Sequence, residues 1–531
     1  MGLLIALPLA FLGGVAGALA FPHWNLWLLL IPSVMILLGT LRWQYRSGKL
    51  GRRVLLVSAV WGLGFFAPQL TWTGVSAGSS LPWIALTILE TLFICFFAQV
   101  WVRGEQAIPR FPRLFGLARL VWAPLAWVGV EQLRALLPFG GFPWSKLAFA
   151  LVDTPLLAWA PWGGSALVSG VCVFIAAAAL EFLGRHRGLM LRVVSLAALV
   201  AAMVFPTLVH PALPEITGHV TAAAVQGNTP GRDPQTAFGK RYEVLQNHVD
   251  ESLRLRHRTT QHVDVVLWAE NAADVDPRTS PRAASLVNEV TAAFQAPLIT
   301  GTLGAGARGP GVASLAGNEV DTTSLQNTIL VWENGEARDT YAKKHLVPFG
   351  EYLPWRKFFA TVIPTFAALV PTDLVAGESV AQLEVSLSGQ DVRLASPICY
   401  EIADDDLVRQ AVTGANFIYV PTSNSFFGSS DEADQQLAIA RFRAAEHGLD
   451  TIQVSTMDST ARIDDHGQIV GRVIPNFTAG SFVTDIPLRS GTTPATAIGG
   501  LLGLGSLVLV VLAAALQVLL ALTESWKRGK H

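Results

Sequence analysis

Charge is what this chain has least of. Lys, Arg, Asp and Glu make up 15% of its 531 residues, against roughly 25% in soluble globular proteins. The formal net charge of −1 provides no basic face for phosphates and excludes nucleic acid as a partner. Cysteine is scarcer still. Cys95 and Cys172 lie inside apolar segments, so no disulfide framework is available and Cys399 is expected to be a free thiol. No cluster of His, Cys and carboxylates stands at ligand spacing, so neither a metal nor another cofactor is expected. Hydrophobic residues, at 51%, fill the space that charge leaves. This is the composition of a membrane protein.

Stretches of about 17–25 mostly apolar residues read as membrane-spanning helices. Seven come early, at residues 3–20, 27–41, 54–72, 83–102, 115–133, 166–183 and 193–210, and an eighth at residues 496–522. The second is short, and Arg119 and Pro124 interrupt the fifth. Ala18-Leu-Ala20 has the look of a cleavage site. It follows no charged n-region and more spans come at once, so the first stretch is expected to be a retained helix.

Lys and Arg collect in alternate linkers, which sets the orientation. Arg42, Arg46, Lys49, Arg52 and Arg53 follow the second span, Arg103, Arg110 and Arg113 the fourth, and Arg185, Arg187 and Arg192 the sixth. Residues 21–25 and 73–82 carry none. Both termini are then cytoplasmic, in agreement with the basic tail Trp526-Lys-Arg-Gly-Lys530. The expected organisation is a membrane domain (residues 1–211), an outer α/β domain (212–489), and a last span with its tail (490–531). Within the spans, Glu90, Glu131 and Arg134 are ionisable groups at membrane depth, which are costly and often functional. Glu131 and Arg134, three apart on one helix face, are expected to pair or to reach the interface. The turn-rich aromatic stretch at residues 138–144 suits a segment lying at the outer interface.

From Gly218 short β-like runs alternate with helical patterns. Strands are predicted at residues 219–225, 263–268, 297–302, 392–398, 416–420, 451–455 and 468–473, with helices at 238–253, 283–294 and 433–447. Asn334-Gly335 joins two more strands, residues 324–332 and 336–343, as a hairpin. The glycine-rich loop at 304–317 lacks the phosphate-binding G-x-x-x-x-G-K-[ST] pattern and reads as a connection. In such an α/β arrangement active groups gather at the C-terminal ends of strands. Glu270, Lys343 and Cys399 each sit just past one. A thiol with an ordinary pKa near ~8.5 needs a base or a positive neighbour. Glu270 is suited to be that base and Lys343 to steady the oxyanion of a tetrahedral intermediate. Singly, each has a plain alternative: a helix cap, an exposed charge, a packed small hydrophobe.

The segment Tyr341-Ala-Lys343-Lys-His-Leu-Val-Pro-Phe-Gly-Glu351-Tyr-Leu-Pro354, with Trp268-Ala-Glu270-Asn and Ile398-Cys399-Tyr400-Glu401, resembles the apolipoprotein N-acyltransferase family. This is the membrane-embedded branch of the nitrilase, or carbon–nitrogen hydrolase, superfamily. The likeness runs along nearly the whole chain. It implies a polytopic helical membrane domain of about eight spans, carrying an extracytoplasmic αββα sandwich of nitrilase type. It implies a Glu270–Lys343–Cys399 triad, with supporting roles for Glu351, Tyr400, Glu401 and Asn424. The departures are Ala269, where the family commonly has proline, and Asn424-Ser-Phe-Phe-Gly428, where it has Asn-Asp-x-Trp-Phe-Gly. Both flank the triad and bear on substrate preference.

The reaction implied is two-step acyl transfer. A membrane phospholipid acylates Cys399, and the α-amine of the lipid-modified N-terminal cysteine of an apolipoprotein takes the chain from the thioester. The implied setting is a bacterial plasma membrane, with the enzyme a monomer. An apolar run after the lysine motif, Phe358, Phe359, Val362, Ile363, Phe366, Leu369 and Val370, fits a lipid substrate. A membrane-tethered amidase would use the same triad with water as the second nucleophile. A transporter or receptor would instead need polar, broken spans in two similar halves, and no such repeat is present.

Overall fold

The structure is a computed structural model that describes residues 2–46, 51–107, 115–184, 189–231, 239–305 and 325–528. Residues 306–317 of the glycine-rich loop, Lys49, Arg110, Arg113, Arg185, Arg187, Phe238 and Lys530 lie outside the described residues. The chain divides into two compact units, one holding the described residues up to Ala212 and from Ala497, the other Leu213–Thr496 with Val75–Gly78.

The first unit is helical. Helices occupy every apolar stretch: Leu3–Ala18, Leu30–Arg46, Arg52–Gln69, Ser80–Ala107, Phe115–Arg134, Ala160–Leu183 and Leu189–Leu208, with Pro494–Arg528 closing the chain. Among the described residues, five segments are long and apolar enough to cross a membrane: Trp27–Tyr45, Ser80–Ala107, Pro155–Leu183, Leu189–Pro206 and Pro494–Thr523. Leu3–Ala18 is apolar but shorter. It lies backbone-to-backbone against Arg52–Gln69, because a Cβ on Gly14 would sit 2.2 Å from the Trp61 carbonyl oxygen. Small residues permit that approach, and such packing holds helices together where the hydrophobic effect does not.

Charge inside this unit is paired. The second helix continues to Arg46, and Arg42 is buried within it rather than lying in a linker. Its guanidinium donates to Glu181 at 2.7 Å and Glu105 at 3.1 Å. Arg119, which interrupted the fifth hydropathy stretch, stands 3.7 Å from the other Glu105 oxygen. Arg134 and Glu131 do not reach an interface: they are 3% and 6% exposed. Nor are they each other's main partner, at 4.0 Å. Arg134 donates to Glu90 at 3.1 Å and to the carbonyls of Phe142 and Trp144 at 3.0 and 2.7 Å. Glu131 accepts from the Trp127 indole and the Leu147 backbone N–H. A buried ion needs a partner and filled hydrogen bonds. Here the pairing also ties the aromatic turn at residues 138–144 to two helices.

The second unit carries strands β1 (Glu215–Gln226), β2 (Val265–Leu267), β3 (Leu298–Ala305), β4 (Leu325–Glu333), β5 (Glu336–Ala342), β6 (Gln382–Leu387), β7 (Gln390–Ala395), β8 (Phe417–Thr422), β9 (Thr451–Ser455), β10 (Thr460–Ile463), β11 (Ile469–Ile474) and β12 (Gly480–Ser490). They form two six-stranded mixed sheets, ordered β12-β1-β2-β3-β4-β5 and β11-β10-β9-β8-β7-β6. The central strands β1, β2 and β3 run parallel, as do β7, β8 and β9, and antiparallel strands flank both sets. Helices Glu243–Arg258 and Pro281–Phe294 pack on the first sheet, Asp405–Val412 and Glu432–His447 on the second, and the sheets meet each other between them. The β4–β5 turn has Asn334 and Gly335 at φ 52° and 85°, the left-handed pair a two-residue hairpin needs. Asp404 caps the helix after Cys399, accepting from the N–H groups of Asp406 and Leu407.

Candidate active site

Strands from both sheets end at one place. β2 leads to Glu270 and β5 to Lys343, while β7 leads to Cys399 and β8 to Asn424. β2 and β8 are buried along their length, β7 over its second half and β5 only at Tyr341, and the polar residue after each is where the chain leaves the sheet. Hydrogen bonds between the sheets fasten the junction. The Ser423 N–H donates to Glu270 Oε2 at 2.7 Å, the Thr456 hydroxyl to the Glu270 carbonyl at 2.8 Å, and the Tyr419 hydroxyl to the Trp268 carbonyl.

The Glu270 carboxylate is 4% exposed. Its second oxygen accepts from Asn327 Nδ2 at 2.6 Å and lies 3.7 Å from Lys343 Nζ. Burial raises its pKa above the usual carboxylate range, against the pull of Lys343 and with the push of Glu351. It is therefore a stronger base than an exposed glutamate. Lys343 is buried too, and burial alone would lower its pKa. Glu351, 2.9 Å away, and Glu270 outweigh burial and hold it well above the ordinary lysine value, so it is a fixed cation. It is neither an exposed charge nor a proton donor. Asn327 bridges the two acids, reaching Glu351 at 3.2 Å, and Glu351 also accepts from the Val347 N–H at 2.8 Å.

Cys399 follows β7 after three extended residues, opens a 3₁₀ turn at Cys399–Ala403, and has φ 52°. The strand ends at Ala395, earlier than hydropathy predicts, because residues 396–398 swing into this turn. A non-glycine residue in left-handed backbone costs about 1 kcal/mol or more and persists where the surroundings impose it, often at functional sites. Burial raises the thiol pKa, the Glu270 charge raises it further, and Lys343 opposes both. Burial and the Glu270 charge thus favour the thiol form of Cys399. Its sulfur receives a hydrogen bond from Gln436 Nε2 at 3.4 Å and donates weakly to Asn424 Oδ1 at 3.8 Å. The Thr422 hydroxyl lies 2.8 Å from the amide oxygen of each of those side chains and can donate to either.

Glu401 lies beneath the nucleophile. It accepts from Ile398, Lys344 and His345 backbone N–H groups and from the Tyr341 hydroxyl, at 2.8 to 2.9 Å for its shortest bonds. It thereby welds the end of β5 to the cysteine turn. Tyr400 is buried and meets His345 edge-on at 5.6 Å. Lys344 is exposed. Phe358 and Phe359 fall on a short helix, Arg356–Val362, followed by another, Pro364–Leu369. Phe358 is 53% exposed and Trp355 70%. Phe359 stacks edge-on against Phe349 at 5.1 Å. Sequence reading passed over Asn327 and Gln436. Their signals were slight: an asparagine within the apolar strand β4, and a glutamine near the start of a helix facing the sheet.

A strand-end Glu, Lys and Cys between two mixed sheets define a carbon–nitrogen hydrolase type of unit, and residues 221–493 match the carbon-nitrogen hydrolase family model. Residues 13–178 match a second model, the apolipoprotein N-acyltransferase N-terminal domain. An apolipoprotein N-acyltransferase of Mycolicibacterium smegmatis is 32% identical over 520 residues, spanning 92% of this chain and 81% of that protein. Those of Vibrio parahaemolyticus and Ralstonia nicotianae are 28% and 29% identical, over 92% and 96% of this chain and 92% and 93% of theirs. The chain belongs to the apolipoprotein N-acyltransferase family. It is an acyltransferase homologue joining membrane helices to a nitrilase-like unit.

Proposed function

We propose that this protein transfers a fatty acyl chain from a membrane phospholipid to the α-amine of a diacylated lipoprotein, through a thioester on Cys399. The observation that carries the reading is the meeting of Glu270, Lys343 and the left-handed Cys399 at the strand ends. Glu270 takes the thiol proton as sulfur attacks the ester carbonyl. Lys343, a cation held in place by Glu351, stabilises the oxyanion together with a backbone N–H beyond Cys399. Glu270 then returns the proton to the departing lysophospholipid oxygen. The amine attacks the thioester in the second half, and shielding from water favours it over hydrolysis. Asn424 and Gln436 aim the sulfur; Glu401 and Tyr400 fix the turn that carries it.

The surrounding architecture follows the same reading. Eight helices span the membrane, both termini are cytoplasmic, and residues of about 212–489 form the catalytic domain on the outer side. The protein acts as a monomer. The exposed Trp355, Phe358 and Val362 are an apolar surface suited to the entry of acyl chains. Phe358→Ser with Phe359→Ser is expected to raise the KM for phospholipid several-fold while leaving acceptor KM alone; equal KM values for donor would reject that role. The catalytic reading is tested by intact mass spectrometry of the purified protein given phospholipid and no acceptor. A long acyl chain should appear on the peptide containing Cys399, with one lysophospholipid released for each adduct. Its appearance on any other residue would refute the assignment.

A further inference from the structure

The second half of the transfer has an unmet requirement. An α-amine, with a pKa near ~8, arrives largely as an ammonium and must be held as a cation and lose a proton before it attacks. Glu270 and Glu351 already face Lys343, at 3.7 and 2.9 Å. Glu401 is filled by backbone N–H groups and Tyr341. Two other buried acids are uncommitted. Glu432 starts the helix Glu432–His447 one turn before Gln436, so both project from one face, and Gln436 donates to the Cys399 sulfur at 3.4 Å. Asp458 comes two residues after Thr456, whose hydroxyl donates to the Glu270 carbonyl. Glu432 and Asp458 are 2% and 0% exposed. Glu432 Oε2 and both Asp458 carboxylate oxygens are buried without a hydrogen-bond partner, and no ion pair among the described residues involves either side chain. Native interiors rarely leave acceptors in that state, and a carboxylate least of all.

We propose that Glu432 and Asp458 are the acceptor subsite, a carboxyl pair beside the nucleophile that binds the α-ammonium of the incoming lipoprotein and takes its proton; this rests on the acyl-transfer reading above. Burial pushes both acids up. The charge of Asp434 adds to it for Asp458, which reaches about 7, and the charges of Asp458, Glu270 and Asp434 add to it for Glu432, which lies well above the carboxylate range. An acid of that strength is matched to an amine donor. One N–H proton passes to the pair, and the freed nitrogen lone pair attacks the thioester carbonyl. The C–N bond forms and the C–S bond breaks. A second N–H proton travels by way of Glu270 to the departing Cys399 sulfur, and the third stays on the product amide. The pair gives its proton to water before the next cycle.

The experiment uses the full chain in detergent with phospholipid and a synthetic diacylated lipopeptide bearing a free α-amine. The Glu432→Gln, Asp458→Asn double variant is expected to accumulate acyl-enzyme, because discharge by the lipopeptide slows at least tenfold with a raised acceptor KM. Hydroxylamine, uncharged at neutral pH, should discharge wild-type and variant acyl-enzymes at the same rate. The single variants, each keeping one carboxyl, should show the same split at a smaller size, and they decide the matter if the double variant fails to fold. Lipopeptide discharge within twofold of wild type would overturn the subsite, as would an equal fall in hydroxylamine discharge. Failure of the wild-type protein to form any acyl-enzyme would sink the acyl-transfer reading itself.

Discussion

Cys399→Ala is expected to reduce acyl transfer by about ten-thousand-fold or more and to leave no acyl adduct, while the protein stays folded. Loss of a nucleophile removes the covalent route entirely, and what remains is the modest help of a preorganised pocket. The cost in stability is small. The side chain removed is one sulfur atom, worth on the order of 1 kcal/mol of packing, and alanine accepts the same φ of 52° with the same strain. Cys399→Gly should be equally inactive and no less stable for its backbone, since glycine carries no penalty in left-handed space. Transfer assays and thermal unfolding of both variants separate the two effects. Residual transfer above a few per cent in either would remove Cys399 from the reaction.

Lys343→Met is expected to abolish transfer and, unlike the cysteine change, to destabilise the two-sheet unit strongly. Lys343 is 2% exposed and sits between Glu270 and Glu351. Removing it strands two carboxylates, and breaking a buried pair in this way costs roughly 3–5 kcal/mol. The sign with pH follows. Lys343 lowers the Glu270 pKa in the native protein, so in the variant the Glu270 carboxyl binds its proton more tightly than before. The deficit is then greatest above that raised pKa, where the carboxylate must be charged, and shrinks as pH falls and the acid becomes neutral. Melting temperatures of variant and wild type should therefore converge as pH falls. A difference that does not change with pH would mean the lysine acts through packing alone.

The strands that deliver Glu270 and Asn424 were legible in the sequence because they are central and buried on both faces, and β5, an edge strand, was legible through its Asn334-Gly335 turn. β2, β8 and β9 read as plain apolar runs. β6, β10 and β12 were not. β6 and β12 are sheet edges, where alternate residues face water and charge dilutes the pattern, and β12 even contains Pro487, tolerable only at an edge. The apolar run after the lysine motif shows no single helix in the sequence because Pro364 divides it. In the structure that proline sits at the first turn of a short helix, where its missing N–H is no loss. Arg42 misled for a different reason. Hydropathy assigns a charge to a linker, and only the fold reveals that Glu105 and Glu181 await it. In the site, residue types past strand ends pointed to Glu270, Lys343 and Cys399. Asn327 and Gln436 could not be found that way, because their partners lie far off along the chain, nor could Glu432 and Asp458, because burial without a partner leaves no trace in composition.

The pairing of β1 with β12 has a mechanical consequence. Glu215 stands opposite Ser490 at the open end of an antiparallel ladder that runs to Gln226 and Gly480, so the long segment between them begins and ends on adjacent residues. Tension applied across those two connections would load the ladder one rung at a time, like opening a zip, rather than shearing all rungs together. The same adjacency fixes the distance between the two ends of this segment however the rest of the chain moves.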